Sequence, residues 1–228
     1  MKYKNKLEEY KDKINYDVWA DISYIPFKDD GYCIVKNAVS KELRDFITQY
    51  VFFDDIQNYS AGDNLSTASS KYADPAMESV LLLLKDQVEI ATGLTLDPTY
   101  SYHRIYRQGD TLKKHVDRPS CEISCSVCFN YNYDNYDWPI FMEGSPVILE
   151  PGDMIVYRGT ELEHWRDALN IKDKDAWHIQ GFFHYVDVNG PYKEFKWDKR
   201  KSIGERTPNV TSPNYITAEL EKYFSTDI

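Results

Sequence analysis

From Leu96 onward the chain breaks into short β-like runs: SYHRIYR, ISCSVCFNY, WPIFM, PVILE, MIVYR and WHIQGFFHYVD. Turn-forming stretches, RQGD, EGSP and EPGD, separate them. The runs are rich in β-branched and aromatic residues, which suit a pleated, half-buried surface. Many short strands joined by turns hide their apolar faces by packing sheet on sheet or by curling into a barrel.

The first part of the chain reads differently. Ser40 is placed to cap a helix that carries Leu43, Phe46, Ile47 and Tyr50 at helical spacing. Pro75 opens a second helix, Met77 to about Thr92, which Gly93 stops. GYCIVKN, residues 31–37, is a short β-like run, and residues 3–13 are helical in composition, as an N-terminal arm would be. The polar stretch from Phe53 to Tyr72 reads as a long loop, of the kind that often forms a lid. Helices first and strands second predict an α+β fold, with the helices on the outside of one sheet. The expected organisation is a single domain over 1–228. In it 1–95 gives helical support and the lid loop, 96–190 the β-barrel core, and 191–228 a C-terminal extension.

Charge and apolar patterning narrow the function. The 228 residues carry 27 basic and 37 acidic side chains, a formal net charge of −10. That argues against nucleic acid as a partner, because phosphate binding needs a basic footprint. The one basic cluster, Lys193 to Arg206, is diluted by Glu194, Asp198 and Glu205 and reads as a solvated tail. The longest apolar run, Val80–Leu84, is far short of the ~20 residues of a membrane-spanning helix. The charged N-terminus MKYKNKLEEYKDK has no apolar core, so a secretory signal is not expected and a cytoplasmic location is. Of the cysteines, Cys125 and Cys128 form one CxxC, but no second pair exists to complete a zinc site. With Cys33 and Cys121 they read as small, buried strand residues.

The chemistry concentrates in two stretches. His115 and Asp117 stand in LKKHVDRP; on an extended chain, residues two apart share a face. His164, in ELEHWRD, follows a turn and strand, PGDMIVYRG, able to return the chain to the same end of the fold. HxD alone occurs by chance in many chains, and a single strand histidine is more often structural. Two histidines and one carboxylate together occupy one face of an octahedron and leave the other open, the arrangement of non-haem iron(II) oxygenases.

At these residues the sequence resembles a known family. RIYRQGDTLKKHVD is similar to the strand–turn–strand entry of the 2-oxoglutarate and iron(II)-dependent dioxygenases, in their prolyl 4-hydroxylase-like branch. PGDMIVYRGTELEHWRDAL resembles the later strand pair that delivers the distal histidine. The resemblance runs from about Gly31 to Asp187 and implies a double-stranded β-helix, a jelly-roll-like barrel with supporting N-terminal helices. It implies iron(II) on His115, Asp117 and His164, 2-oxoglutarate as co-substrate, dioxygen, and hydroxylation of a peptide or small-molecule substrate. Tyr106 matches the tyrosine that hydrogen-bonds the oxoglutarate.

One departure stands out. The family places Arg or Lys on the strand after the distal histidine, against the far carboxylate of oxoglutarate; this chain has His178 there. Arg166, two positions after His164, is the next candidate, and Arg104 shares strand parity with Tyr102 and Tyr106; Lys172 and Lys174 read as solvated. Asp167 and Gln180 are candidate groups behind the metal ligands. Trp138, Trp165, Tyr102 and Arg118 are candidates for the substrate entrance. Two alternatives remain open: a cupin-like non-haem metal enzyme that does not use 2-oxoglutarate, and a non-catalytic jelly-roll binding module.

Overall fold

The computed structural model describes residues 27–205. The arm expected at 3–13 and the part of the C-terminal extension beyond 205 lie outside them. After a short helix α1 (Phe27–Asp30), the elements run β1 (Tyr32–Val35), α2 (Lys41–Asn58), β2 (Ser69–Tyr72), α3 (Pro75–Thr92), β3 (Leu96–Arg107) and β4 (Leu112–His115). There follow β5 (Ile123–Tyr131), β6 (Ile140–Met142), β7 (Ser145–Val147), β8 (Met154–Arg158), β9 (His164–Arg166) and β10 (Trp177–Asp187).

The helix ends obey their cap chemistry. Ser40 accepts from Leu43 N at 3.3 Å to start α2. Asp74 accepts from Ala76 N and Met77 N ahead of Pro75, and Gly93 ends α3 in the left-handed conformation at φ 72°.

The strands form two antiparallel sheets: six strands in the order β1-β8-β5-β10-β3-β2, and four in the order β4-β9-β6-β7. Period-two alternation decides what each face carries. On one face of the large sheet, Val127, Phe129, Ile179, Phe183 and Tyr185 pack in one buried cluster with Ile47, Val51, Met77 and Leu81 of the two long helices. The other face, turned toward the small sheet, carries Ser124, Ser126, His178, Gln180, Arg104 and Tyr106, all buried. So polar a buried layer is stable only if its groups find partners or await a ligand.

The structure corrects several expectations. The stretch 53–72 is not one long loop: α2 continues to Asn58, and Ser69–Tyr72 pairs with β3 as an edge strand. Nothing in FFDDIQN breaks a helix, and Asn58 donates to Asp54 one turn back. Polarity belongs here to an exposed helix face and a short strand, leaving residues 59–68 as the loop. The basic segment at 193–205 is docked rather than solvated: Phe195 is buried, and Arg200 pairs with buried Glu78 at 2.6 Å. Cys125 and Cys128 lie in different clusters on opposite sides of the large sheet, because a spacing of three on a strand reverses the face.

Candidate active site

β4 ends at His115, the chain turns, and Asp117 N donates to Gly159 O at 2.8 Å. Register then brings β9 alongside, with His115 directly opposite His164. One ligand atom from each of His115, Asp117 and His164 lies within 4.8 Å of the others. Asp117 Oδ1 stands 3.5 Å from His115 Nε2 and 3.6 Å from His164 Nε2.

The second atoms of these groups are all engaged. His115 Nδ1–H donates to Lys113 O at 2.7 Å, and His164 Nδ1–H donates to Leu162 O at 2.9 Å. Both rings are thereby set in the tautomer that leaves Nε2 a bare lone pair. Asp117 Oδ2 accepts from Ser124 Oγ at 2.8 Å, so Oδ1 is the atom turned to the histidines. His184 Nδ1 lies 2.9 Å from Ser124 Oγ; with the serine proton given to Asp117, this histidine donates. Burial pushes the Asp117 carboxyl up, but His164, His115 and His184 outweigh it and hold it well below the usual carboxylate range. Burial holds the His164 imidazole below its ordinary value, which favours the neutral, metal-ready form. Bare nitrogens and an ionised oxygen, each with its other atom hydrogen-bonded, suit a divalent cation such as iron(II).

Asp117, Cys121 and His184 form a second close group. It shares Asp117 with the first, and Cys121 is a buried thiol whose ionisation burial strongly opposes. His184 and Ser124 therefore serve as supports for Asp117. Gly159 completes that support by being small: a Cβ there would meet Cys121 O at 2.3 Å and Asp117 Oδ2 at 2.5 Å.

Deeper between the sheets lies a second polar set. Tyr133 donates its hydroxyl to His178 Nδ1 at 2.8 Å, His178 Nε2–H donates to Gln180 Oε1 at 2.8 Å, and Gln180 Nε2 donates to Ser126 Oγ at 2.7 Å. Burial, with the nearby Arg166 charge, pulls the His178 imidazole down to about 3, so it is neutral. Arg166 points inward beside His164, as residues two apart on β9 must. Its Nη1 donates to Trp138 O at 2.6 Å and its Nη2 to Gln180 Oε1 at 3.3 Å, with the guanidinium 4.4 Å over the Trp138 ring. None of these partners is a carboxylate, and burial pulls the guanidinium below its ordinary value. Tyr106 is fully buried against Trp138, and its hydroxyl has no hydrogen-bond partner among the described residues.

The remaining candidates divide. Gln180 is in the network, whereas Asp167 is exposed and gives only its backbone oxygen, to Trp138. Trp138 is an interior residue rather than part of an entrance. Trp165 stacks on Phe141 and lies under Lys114, on the far face of the small sheet, because it is one residue out of phase with His164. Tyr102 donates to Asp63, and Arg118 makes a bidentate pair with Asp198 at 2.6 and 2.8 Å. Lys172 and Lys174 are exposed, as expected. Ser124, His184, Gly159 and Tyr133 carry no sequence signal of their own; only the parity of Ser124 with its strand neighbours hinted at an inward face.

No protein-family model and no curated protein sequence matches the chain. Solved structures do. A Pseudomonas putida prolyl-4-hydroxylase superposes with TM-score 0.56 at 16% identity, over 69% of this chain and 94% of that one. HygX from Streptomyces hygroscopicus, solved with nickel and 2-oxoglutarate, gives TM-score 0.53 at 11% identity over 72% and 85%. A Trichoplax adhaerens prolyl hydroxylase in complex with a hypoxia-inducible factor peptide gives 0.57 at 13% over 76% and 90%. At such identities the likeness is one of fold, and the fold is that of the iron- and 2-oxoglutarate-dependent dioxygenases, prolyl hydroxylases among them.

Proposed function

We propose that the chain is an iron(II)- and 2-oxoglutarate-dependent dioxygenase that hydroxylates a peptide or small-molecule substrate, acting as a single domain. The observation that carries this reading is the bare, convergent face of His115 Nε2, Asp117 Oδ1 and His164 Nε2. Two further features support the co-substrate. Among the described residues Arg166 is a buried cation without a carboxylate, and the Tyr106 hydroxyl is a buried donor without an acceptor. Both are costly unless a ligand answers them. A dicarboxylate with one end at the metal and the other at Arg166 and Tyr106 answers both.

Bound iron and oxoglutarate would supply the oxidation itself: dioxygen, oxoglutarate and a substrate C–H bond give an alcohol, succinate and carbon dioxide. The chain's own residues bind and orient. His115, Asp117 and His164 would hold the cation. Ser124 and His184 keep Asp117 single-toothed toward the metal. Arg166 and Tyr106 fix the far carboxylate, while neutral His178 orients the Gln180 amide beneath them. Trp138 covers the guanidinium and excludes water from that end.

The test is anaerobic addition of iron(II) and then 2-oxoglutarate, watching for the visible charge-transfer band of chelated oxoglutarate, beside a His115→Ala variant. A band in the parent alone is expected. Iron binding without a band points instead to a metal enzyme that does not use oxoglutarate. No iron binding leaves a non-catalytic binding module.

A further inference from the structure

Arg104 is 5% exposed, and its Nε and Nη1 find no hydrogen-bond acceptor among the described residues. Its Nη2 alone is engaged, donating to Asp63 Oδ2 at 2.9 Å. Asp63 is fully occupied: Oδ2 also accepts from Tyr102 at 2.9 Å, and Oδ1 accepts from Leu65 N and Ser66 N. The acid is therefore satisfied and the arginine is not. The guanidinium is held at 4.9 Å over Tyr102 and 5.9 Å from the Phe182 ring, so its position is fixed by packing.

Register places this group. Across β3 and β10, Tyr106 faces His178, Arg104 faces Gln180 and Tyr102 faces Phe182. His184, farther along β10, faces the Ser124 that holds Asp117. Arg104 thus lies between the deep Tyr106 end and the metal end, on the side closed by the 59–68 loop through Asp63. That loop is tied to the fold elsewhere, by Lys113 N donating to Leu65 O at 3.0 Å and by Thr67 bonding Asp110.

We propose that Arg104 is a substrate-binding residue, and that the substrate carries a carboxylate which takes the unanswered N–H groups of this guanidinium under the 59–68 loop. The inference rests on the oxygenase reading, which uses Arg166 and Tyr106 for the co-substrate and leaves Arg104 over. Hydrogen bonds from a guanidinium to a carboxylate are about twice as strong as neutral ones, so an anionic group is the acceptor selected. Asp63 opposes it with like charge while positioning the arginine. The substrate class is accordingly one that carries a carboxylate.

The test uses the full chain with iron(II) and saturating 2-oxoglutarate, without oxygen. The probe is trifluoroacetate, read by fluorine NMR line broadening, with trifluoroacetamide as the neutral control. Saturable broadening by the acid only is expected, weakened about 10-fold or more in Arg104→Gln. Asp63→Asn, at a loop position, should bind the probe more tightly, which keeps the proposal testable if Arg104→Gln misfolds. Equal broadening by acid and amide overturns the proposal, as does broadening that oxoglutarate competes away. An absent charge-transfer band would instead sink the oxygenase reading, and the proposal with it. A band without any probe binding would sink the proposal alone.

Discussion

The two ends of the space between the sheets solve opposite problems. At the metal end, every second atom is tied down so that three first atoms stay bare: both Nδ1–H groups on backbone carbonyls, and Asp117 Oδ2 on Ser124. At the deep end the side chains satisfy one another through Tyr133, His178, Gln180 and Ser126, while the Tyr106 hydroxyl has no partner among the described residues and Arg166 donates to neutral oxygens. On the proposed reading one end receives a cation and the other an anion. A polar interior can therefore be rigid and unsatisfied at chosen atoms only, which is what preorganised binding requires.

That contrast can be broken in graded steps. His164→Ala should lower metal affinity by more than about 100-fold, since it removes a ligand rather than a support; calorimetric titration with iron(II) or manganese(II) measures it. Gly159→Ala should cost about 3 kcal/mol or more of stability, because its Cβ would strike the Cys121 carbonyl and the Asp117 carboxylate; urea unfolding reads this. Ser124→Ala should weaken metal binding by about 10–100-fold while leaving oxoglutarate affinity of the metal-loaded protein nearly unchanged. An equal loss of both would mean that the two ends are not separable.

Acidity probes the buried imidazoles, His178 at the deep end and His103 on the opposite face of the large sheet. Burial pulls His178 down to about 3 and His103 to about 4, against 6.5 for an ordinary imidazole. Between those values the unfolded chain takes up protons that the folded chain refuses. Stability should accordingly fall as the pH drops through this window, by roughly 3 kcal/mol between pH 7 and 5. A flat urea midpoint over that range would mean that these rings are not buried neutral.

The sequence was most readable where local rules suffice. ISCSVCFNY and WHIQGFFHYVD are β5 and β10 to the residue, and Pro75 and Gly93 bracket α3. The candidate metal ligands, which the fold brings together, are legible because HxD and a later histidine are few and ordered. What local rules missed depends on pairing across the chain. Trp165 turns away from the entrance expected of it because it alternates with His164, and Trp138 lies inside, under Arg166. The docking of Arg200 on Glu78 spans 122 positions and leaves no local trace. Helix α2 runs to Asn58, beyond its expected end, because exposed polar residues look alike in a helix and in a loop.

The chain departs from the oxygenase pattern at His178, and the choice between it and Arg166 as the partner of the far carboxylate is the sharpest point to test. Oxoglutarate is titrated without oxygen into the iron(II) forms of Arg166→Gln and His178→Gln, with the charge-transfer band as readout. Loss of about 100-fold or more in affinity for the arginine variant, and of no more than about 10-fold for the histidine variant, is the expected result. The reverse order, with Arg166→Gln binding like the parent, would contradict the assignment of the anion end to Arg166.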